Sequence, residues 1–288
     1  MGGLNKVPLK NFKRFFAPAK INLFLKVLSK RNDGYHNLQS VFHLIDLYDE
    51  VFLRVRSDKK ITVKYNVKSI GKKNDLCLKA AKLILKDLNH GVDIKVKKNI
   101  PIGGGLGGGS SDAATVMIGL NKLLNLKIDK KKLMSAGLSL GADVPFFING
   151  VNGWVEGIGE KISPISVNND QYLLIIPNIS ISTKSIFTDF KLTNKPIPLK
   201  IASSFSDVDS GEIVNDLHGN ILKKYPKLRD LFAWLEQYGN PRITGTGSSL
   251  FLKCNDESVV KQICKHKPKD TKILSVRGLS IHPHLITD

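Results

Sequence analysis

The stretch that decides the fold runs from Asn99 to Asp112 and reads N-I-P-I-G-G-G-L-G-G-G-S-S-D. Every residue from Gly103 to Gly109 except Leu106 is glycine. Upstream, Val92, Ile94 and Val96 alternate with Asp93, Lys95 and Lys97, which predicts a strand with one buried face. Downstream, Ala113, Val116, Met117, Leu120, Leu123 and Leu124 recur at spacings of three and four, which predicts a helix. The unit is strand, glycine loop, helix. A helix N-terminus carries unpaired N–H groups and partial positive charge. Glycines let a backbone approach an anion closely and adopt positive φ. Ser110 and Ser111 can cap the helix or offer hydroxyls to phosphate oxygens or a metal. The reading is a phosphate cradle.

Other glycine loops fit less well. Gly103-x-Gly105-x-x-Gly108 matches the dinucleotide fingerprint formally, as any dense glycine run does. That fingerprint needs an acid at the end of the next strand, whereas Lys127-Ile128-Asp129-Lys130 has no strand pattern around it. No Gly-Lys-Ser/Thr closes the run, so it is not a Walker loop. A flexible linker is the competing reading, but linkers rarely separate a clean strand from a clean helix.

Working outward, Ile21, Leu23, Leu25 and Val27 mark one face of a strand over Ala19–Leu28, with Asn22 on the other face and Lys20 at its start. Lys20 taken alone reads as a solvated strand-end lysine. Asp33-Gly34 signals a hairpin turn, followed by Tyr35 and His36. These are either an aromatic platform with a hydrogen-bonding ring or a packed tyrosine beside a surface histidine. Strands are predicted over 41–56 and 61–67, and an amphipathic helix over Leu76–Leu88. Asp129 is the expected cap of a helix running to Leu138. Asp143, in Gly141-Ala142-Asp143-Val144-Pro145, reads either as a helix N-cap or as a carboxylate held in a tight turn and available as a base. Trp154–Ile162 reads as one strand containing two glycines.

The pattern restarts near residue 165, the expected domain boundary, giving domains of 1–165 and 166–288. A buried strand at Tyr172–Ile176 is followed by a helical segment holding Thr183 and Phe187. A Pro/Ser/Asp-rich loop spans 195–209. Helices are expected over Ile213–Leu222 and Pro226–Tyr238, then a second glycine/serine loop, Thr244-Gly245-Thr246-Gly247-Ser248-Ser249, feeding a strand. A helix over Ser258–Cys264 and a strand over Ile273–Val276 complete the alternation, which says α+β or α/β.

At 288 residues with 42% hydrophobic composition, the chain can bury a substantial core. Its 44 basic and 25 acidic residues give a net charge of +19. Such a balance suits nucleic acid or an anionic membrane, but the lysines are scattered in short runs with no nucleic-acid motif beside them. A basic surface would still steer a polyanionic substrate inward. Cys77, Cys254 and Cys264 show neither metal spacing nor a disulfide framework, and Cys254 and Cys264 are expected to be small core residues or free thiols in a reducing compartment. No apolar run is long enough to span a bilayer. Met1–Lys10 lacks an apolar h-region, so no signal peptide is expected and the cytoplasm is the default.

Pro18-Ala19-Lys20-Ile21-Asn22, Asp33-Gly34-Tyr35-His36, Pro101 through Ser111, Gly141-Ala142-Asp143-Val144-Pro145 and Thr244-Gly245-Thr246-Gly247 stand in the order and near the spacing of the GHMP kinase superfamily, which the chain resembles from about Ala17 onward. The first, second and fourth signatures look like those of the 4-diphosphocytidyl-2-C-methyl-D-erythritol kinases within it. The resemblance implies an α+β, two-domain GHMP kinase fold. Its N-terminal domain would be like ribosomal protein S5 domain 2 and its C-terminal domain ferredoxin-like, with the site between them. It implies transfer of phosphate from ATP, with Mg²⁺, to a hydroxyl of a CDP-linked small molecule in non-mevalonate isoprenoid biosynthesis. It implies Asp143 as general base and Lys20 as its partner. Pro101, Ile102, Gly103, Gly104, Gly105, Leu106, Gly107, Gly108, Gly109, Ser110 and Ser111 would bind ATP. Tyr35, His36 and Phe187 would take the cytosine, with Asn22 and Thr183 further substrate contacts. The metal ligands and the role of Asp112 stay open. A monomer or weak homodimer is expected, with no nucleic-acid or membrane partner. Two alternatives stand: another GHMP kinase with homoserine, mevalonate or a sugar as acceptor, or a basic RNA-binding protein, which would leave the glycine run and Asp143 unexplained.

Overall fold

The computed structural model describes residues 11–67, 71, 75–192, 196–207 and 215–285. In chain order the elements are β1 (Lys13–Lys30), β2 (His36–Arg56), β3 (Ile61–Tyr65), α1 (Leu76–Leu85), β4 (Gly91–Lys97), α2 (Gly108–Leu123), α3 (Lys130–Leu138) and α4 (Val144–Asn149). Then come β5 (Gly153–Gly157), β6 (Lys161–Pro164), β7 (Gln171–Pro177), α5 (Thr183–Asp189), α6 (His218–Lys224) and α7 (Pro226–Glu236). The chain continues with β8 (Arg242–Ile243), β9 (Leu250–Lys253), α8 (Glu257–His266) and β10 (Thr271–Leu279).

β1 and β2 form one long antiparallel ribbon, turned by Asp33-Gly34 as the sequence predicts. Gly34 takes φ +85°, and the Asp33 carboxylate accepts from Tyr35 N at 3.1 Å, the local bond that makes aspartate a turn residue. β1 starts earlier than expected and runs through Pro18, where the register shifts. A bulge is where a strand tolerates a residue with no N–H to donate. β2 also pairs with β4, β5 and β10, so it is the spine of the molecule. The sheet continues as β10-β7-β9-β8, with β10 joined to β2 through Gly278↔Ile45 and Leu279↔Leu44.

Three apolar cores follow from this path. The first packs α1, α2 and α4 against β1, β2 and β4, with Leu53, Ile94, Met117, Leu120 and Phe146 fully buried. The third packs α6, α7 and α8 against β7 and β9 through Leu173, Ile221, Leu235 and Leu250. Between them lies a core that draws on both halves: Ile21, Phe24 and Trp154 meet Tyr172, Leu174 and Phe251. Burial of each such side chain contributes about 1.5–3 kcal/mol, so the middle core holds the two halves in a fixed relation. The tail adds a further tie, where His282 N donates to Gly150 O at 2.7 Å and Phe16 N donates to His284 Nε2 at 2.5 Å.

Some expectations shift. The predicted strand over Trp154–Ile162 is a hairpin, β5 and β6. Gly157 (φ +72°) and Gly159 (φ +127°) make its turn, so the two glycines end a strand rather than interrupt it. α6 starts at His218, and Ile213 and Val214 of the expected helix lie outside the described residues, as do residues 195, 208 and 209 of the expected loop. Cys77 and Cys254 are buried, whereas Cys264 is an exposed free thiol on α8.

Candidate active site

α2 begins at Gly108 behind the N-cap Gly107, which has φ +72° and makes no side-chain cap bond. Ser110 and Ser111 therefore do not cap. They sit inside the first turn, where Ser111 N already donates to Gly107 O at 2.9 Å. The first amides of a 16-residue helix are thus left without a capping side chain, the arrangement that attracts an anion. Gly103, Gly105 and Gly107 all take positive φ, +75°, +75° and +72°. The glycines also meet a packing demand that the sequence did not announce. A Cβ on Gly107 would meet the Phe147 ring at 2.8 Å, and one on Gly105 would meet Thr244 O and Gly247 O. The loop is clamped: Lys20 N donates to Leu106 O at 3.0 Å, and Ser249 N donates to Gly104 O at 3.2 Å. The second glycine/serine loop, which joins β8 to β9, is therefore the floor on which the first one rests.

Lys20 and Asn22 sit two apart on β1 and so share a face, opposite Leu44 and Phe42 of β2. The Lys20 side chain is 5% exposed, so it is not a solvated strand-end lysine. Its ammonium lies 3.7 Å from Asp143 Oδ2, 2.6 Å from Asn22 Oδ1 and 4.3 Å from the centre of the Phe42 ring. Burial pushes the Lys20 ammonium below its usual value, and Asp143 pulls it back up. Asp143 occupies the N-cap position of α4 but makes no cap bond, and its side chain remains 30% exposed. The carboxylate is therefore free to face a ligand while paired with a buried cation.

At the other rim, His36 is buried and stacks on Phe187 at 5.2 Å and 29°, with the Phe190 ring edge-on at 6.4 Å. Burial first, and Lys30 second, lower the His36 imidazole below its usual value. The lowered value leaves it neutral near pH 7, one ring nitrogen donating and one accepting. Tyr35 is 60% exposed beside them. Thr183 Oγ1 hydrogen-bonds Thr246 Oγ1 at 3.0 Å, tying α5 to the second loop.

One cavity of about 1010 Å³ joins these groups. Lys20, Asn22, Tyr35, His36, Pro101 through Ser110, Asp143, Thr183 and Phe187 all line it. Of the residues expected at the site, Ser111 does not: it is fully buried, and its hydroxyl has no hydrogen-bond partner. One residue step along α2, about 100° of rotation, carries Ser110 to the cavity and Ser111 into the core.

The cavity also takes in Ser40, Phe42, Gly245 and Thr246, and beyond the helix N-terminus Tyr65, Leu76, Cys77, Lys98 and Asp112. Lys98 stands between two buried carboxylates, pairing with Asp49 and, at 2.6 Å, with Asp112 Oδ2. Asp49 also accepts from Asn99 N and Ile100 N, so this cluster anchors the strand that enters the glycine loop. Burial, with help from the Asp49 charge, raises the Asp112 carboxyl above the usual carboxylate range, against the pull of Lys98. Nothing around Asp49 in the sequence signals this role; it becomes visible only when β2 meets β4. Thr244-Gly245-Thr246-Gly247 did carry a signal, as a second glycine loop.

With this geometry in hand, the relatives are informative. The family GHMP kinases N terminal domain matches residues 75–151. A 4-diphosphocytidyl-2-C-methyl-D-erythritol kinase of Polynucleobacter asymbioticus is 43% identical, over 93% of this chain and 93% of its own length. The chain belongs to that kinase family. A kinase of the same name from Nitrosomonas europaea is 40% identical over 93% of this chain and 98% of its own. The crystal structure of a 4-(cytidine 5′-diphospho)-2C-methyl-D-erythritol kinase superposes with a TM-score of 0.80 at 26% identity, covering 92% of this chain and 99% of the other. A Methanococcus jannaschii mevalonate kinase, 18% identical with a TM-score of 0.68 over 94% of this chain and all of its own, shares the fold. The two-domain GHMP kinase fold expected from the sequence is thus the fold this kinase adopts.

Proposed function

We propose that this kinase transfers the terminal phosphoryl group of ATP to the 2-hydroxyl of 4-diphosphocytidyl-2-C-methyl-D-erythritol, with a cleft dividing domains near residue 165. The observation that carries the reading is the single cavity holding uncapped helix amides, the Lys20–Asp143 pair and the aromatic rim together. Its volume stands at the top of the range of about 300–1,000 Å³ for ligand sites, as a site that takes a nucleotide and a second nucleotide-linked substrate requires.

Pro101 to Ser110 hold the triphosphate, with backbone N–H groups and the α2 terminus opposing its charge. The arm lined by Tyr65, Leu76 and Cys77 takes the nucleoside end of ATP. Tyr35 and Phe187 offer ring faces to the cytosine of the acceptor, and neutral His36 offers its edge a hydrogen bond. Asn22 and Thr183 are polar groups between the two ends. Asp143 accepts the hydroxyl proton as the oxygen attacks phosphorus, and Lys20, 3.7 Å from it, steadies developing charge. Among the described residues no group of three or more His, Cys, Asp or Glu side chains is placed to hold a metal. The residues that fit a Mg²⁺ lie at the α2 end of the cavity. Ser110 and Asp112 line that end of the cavity, and Asp112 Oδ1 lacks a partner. Bound there, the ion would neutralise phosphate charge during transfer.

The test offers the protein ATP, Mg²⁺ and the CDP-linked methylerythritol. ADP and a newly phosphorylated acceptor are expected. Competition by CMP-containing compounds but not by mevalonate separates this reading from another acceptor within the superfamily. Turnover of mevalonate, homoserine or a sugar in place of the CDP-linked compound would overturn it.

A further inference from the structure

We propose that Ser40, on β2, is a positioning residue that sets the orientation of the Asn22 amide and thereby aims the Lys20 ammonium. The inference rests on the reading that Lys20 and Asp143 carry the chemistry, and adds a residue that acts on it through Asn22.

The main-chain carbonyl of Phe24 can only accept, and Ser40 Oγ lies 2.5 Å from it. The single hydroxyl proton of Ser40 is committed there. Ser40 Oγ can then only accept from Asn22, whose side-chain amide lies 2.9 Å away, so Asn22 must present its NH₂ to Ser40. The Asn22 carbonyl oxygen consequently faces the other way, 2.6 Å from Lys20 Nζ. In the flipped orientation the Asn22 NH₂ would meet an ammonium, donor against donor, and Ser40 would have no proton for the Asn22 oxygen. Thr244 supports the same choice. Its Oγ1 accepts from Asn22 N at 3.0 Å, and its hydroxyl proton has two acceptors in reach, Asn22 Oδ1 at 3.4 Å and Gly105 O at 3.3 Å. A chain of polar groups thus runs from the β1 backbone to the ammonium and touches the phosphate loop.

All of these groups are buried, Ser40 at 1% and Asn22 at 2% exposed, so water does not substitute freely. The groups facing Lys20 are Asp143 from the α4 terminus, the Phe42 ring from β2 and Asn22 from β1, and among the described residues Asp143 is the ionic partner. Because burial already lowers the Lys20 ammonium, an oriented carbonyl dipole has leverage on how high in pH Lys20 stays charged.

The experiment compares wild type, Ser40→Ala and Ser40→Thr. Steady-state turnover of ATP and the CDP-linked substrate is followed from about pH 6 to about 10, and side-chain amide hydrogen exchange of Asn22 is followed by NMR. Ser40→Ala should lower kcat about 10-fold, leave both KM values within about 3-fold, and move the basic limb of the kcat profile about half a unit down in pH. Its Asn22 amide should exchange about 10-fold faster. Ser40→Thr keeps the hydroxyl and should stay within about 3-fold of wild type on every measure. Wild-type kcat, limb and exchange in Ser40→Ala would overturn the proposal. So would equal loss in both variants with no movement of the limb. If wild type itself fails to turn over the CDP-linked substrate, the functional reading falls, and the Asn22 exchange rates still decide the role of Ser40.

Discussion

Asp143 stands where a helix cap would stand and does not cap. At the residue scale this is the most informative detail of the molecule, because it separates two readings that the sequence left equal. A capping aspartate returns its charge to its own helix, whereas this one keeps it for Lys20 and the cavity. Asp143→Asn should therefore fold normally and lose about 100-fold or more in kcat, with KM for ATP changed by less than about 3-fold. Near-normal turnover in that variant would remove Asp143 as the base. Lys20 was legible as a residue type within a motif, but its burial was not. Its surroundings, the Phe42 ring of β2 and Asp143 at the α4 terminus, arrive from elsewhere in the chain. His36 and Phe187 lie far apart in the chain, and only the packing of α5 against the hairpin end makes them neighbours.

At the scale of elements, the glycine loop has two jobs that substitution can separate. Gly103 and Gly105 share φ +75°, so alanine is strained at either, by about 1–2 kcal/mol. A Cβ at Gly103 meets nothing nearer than Ser180 Oγ at 3.9 Å, whereas one at Gly105 runs into the Thr244 and Gly247 carbonyls. Gly103→Ala should therefore cost only the dihedral strain and keep measurable activity. Gly105→Ala should lower the thermal midpoint further and abolish turnover, because it lifts the loop from its floor. Equal midpoints for the two variants would show that the second loop does not support the first. The strand and helix are readable from periodicity, and the glycine loop, the Asp33-Gly34 turn and the Asp129 cap, which accepts from Lys132 N at 2.8 Å, from residue type. The β5–β6 hairpin reads as one strand in the sequence because a short glycine turn between apolar residues keeps the alternation of a single strand. Asp49 and Lys98 escaped notice because a buried ion cluster has no periodic signature.

At the scale of the whole molecule, two buried histidines should cost the fold stability in acid. Burial lowers His43 to about 4 and His282 to about 3, both from 6.5. Both are bases held neutral in the fold. Below pH 6.5 the unfolded chain takes up protons that the folded chain refuses, so stability is lost as pH falls from 6.5 toward 4 and below. His43 alone accounts for a loss on the order of 3 kcal/mol over that span. His43→Leu should flatten the dependence of unfolding free energy on pH between about 6.5 and 4, measured by denaturant titration; an unchanged slope would exclude His43 as a cause. Saturating ATP with Mg²⁺ should stabilise the wild type by about 4 kcal/mol at a thousandfold excess over Kd, read as a higher thermal midpoint, and Gly105→Ala should lose that response. The sequence by itself determined the local units: a phosphate-seeking strand–loop–helix, an alternation of strands and helices, and motifs whose order and spacing point to one kinase superfamily. Those are set by neighbours in the chain, through dihedral preference, capping and apolar period. Only the tertiary structure decided that Lys20 is buried, that Asp143 is uncapped, that Ser111 turns away from the cavity and that two glycine loops stack. Each of these depends on residues more than a hundred positions apart, or on opposite sides of a helix turn, being brought together by the β2 spine and the shared middle core.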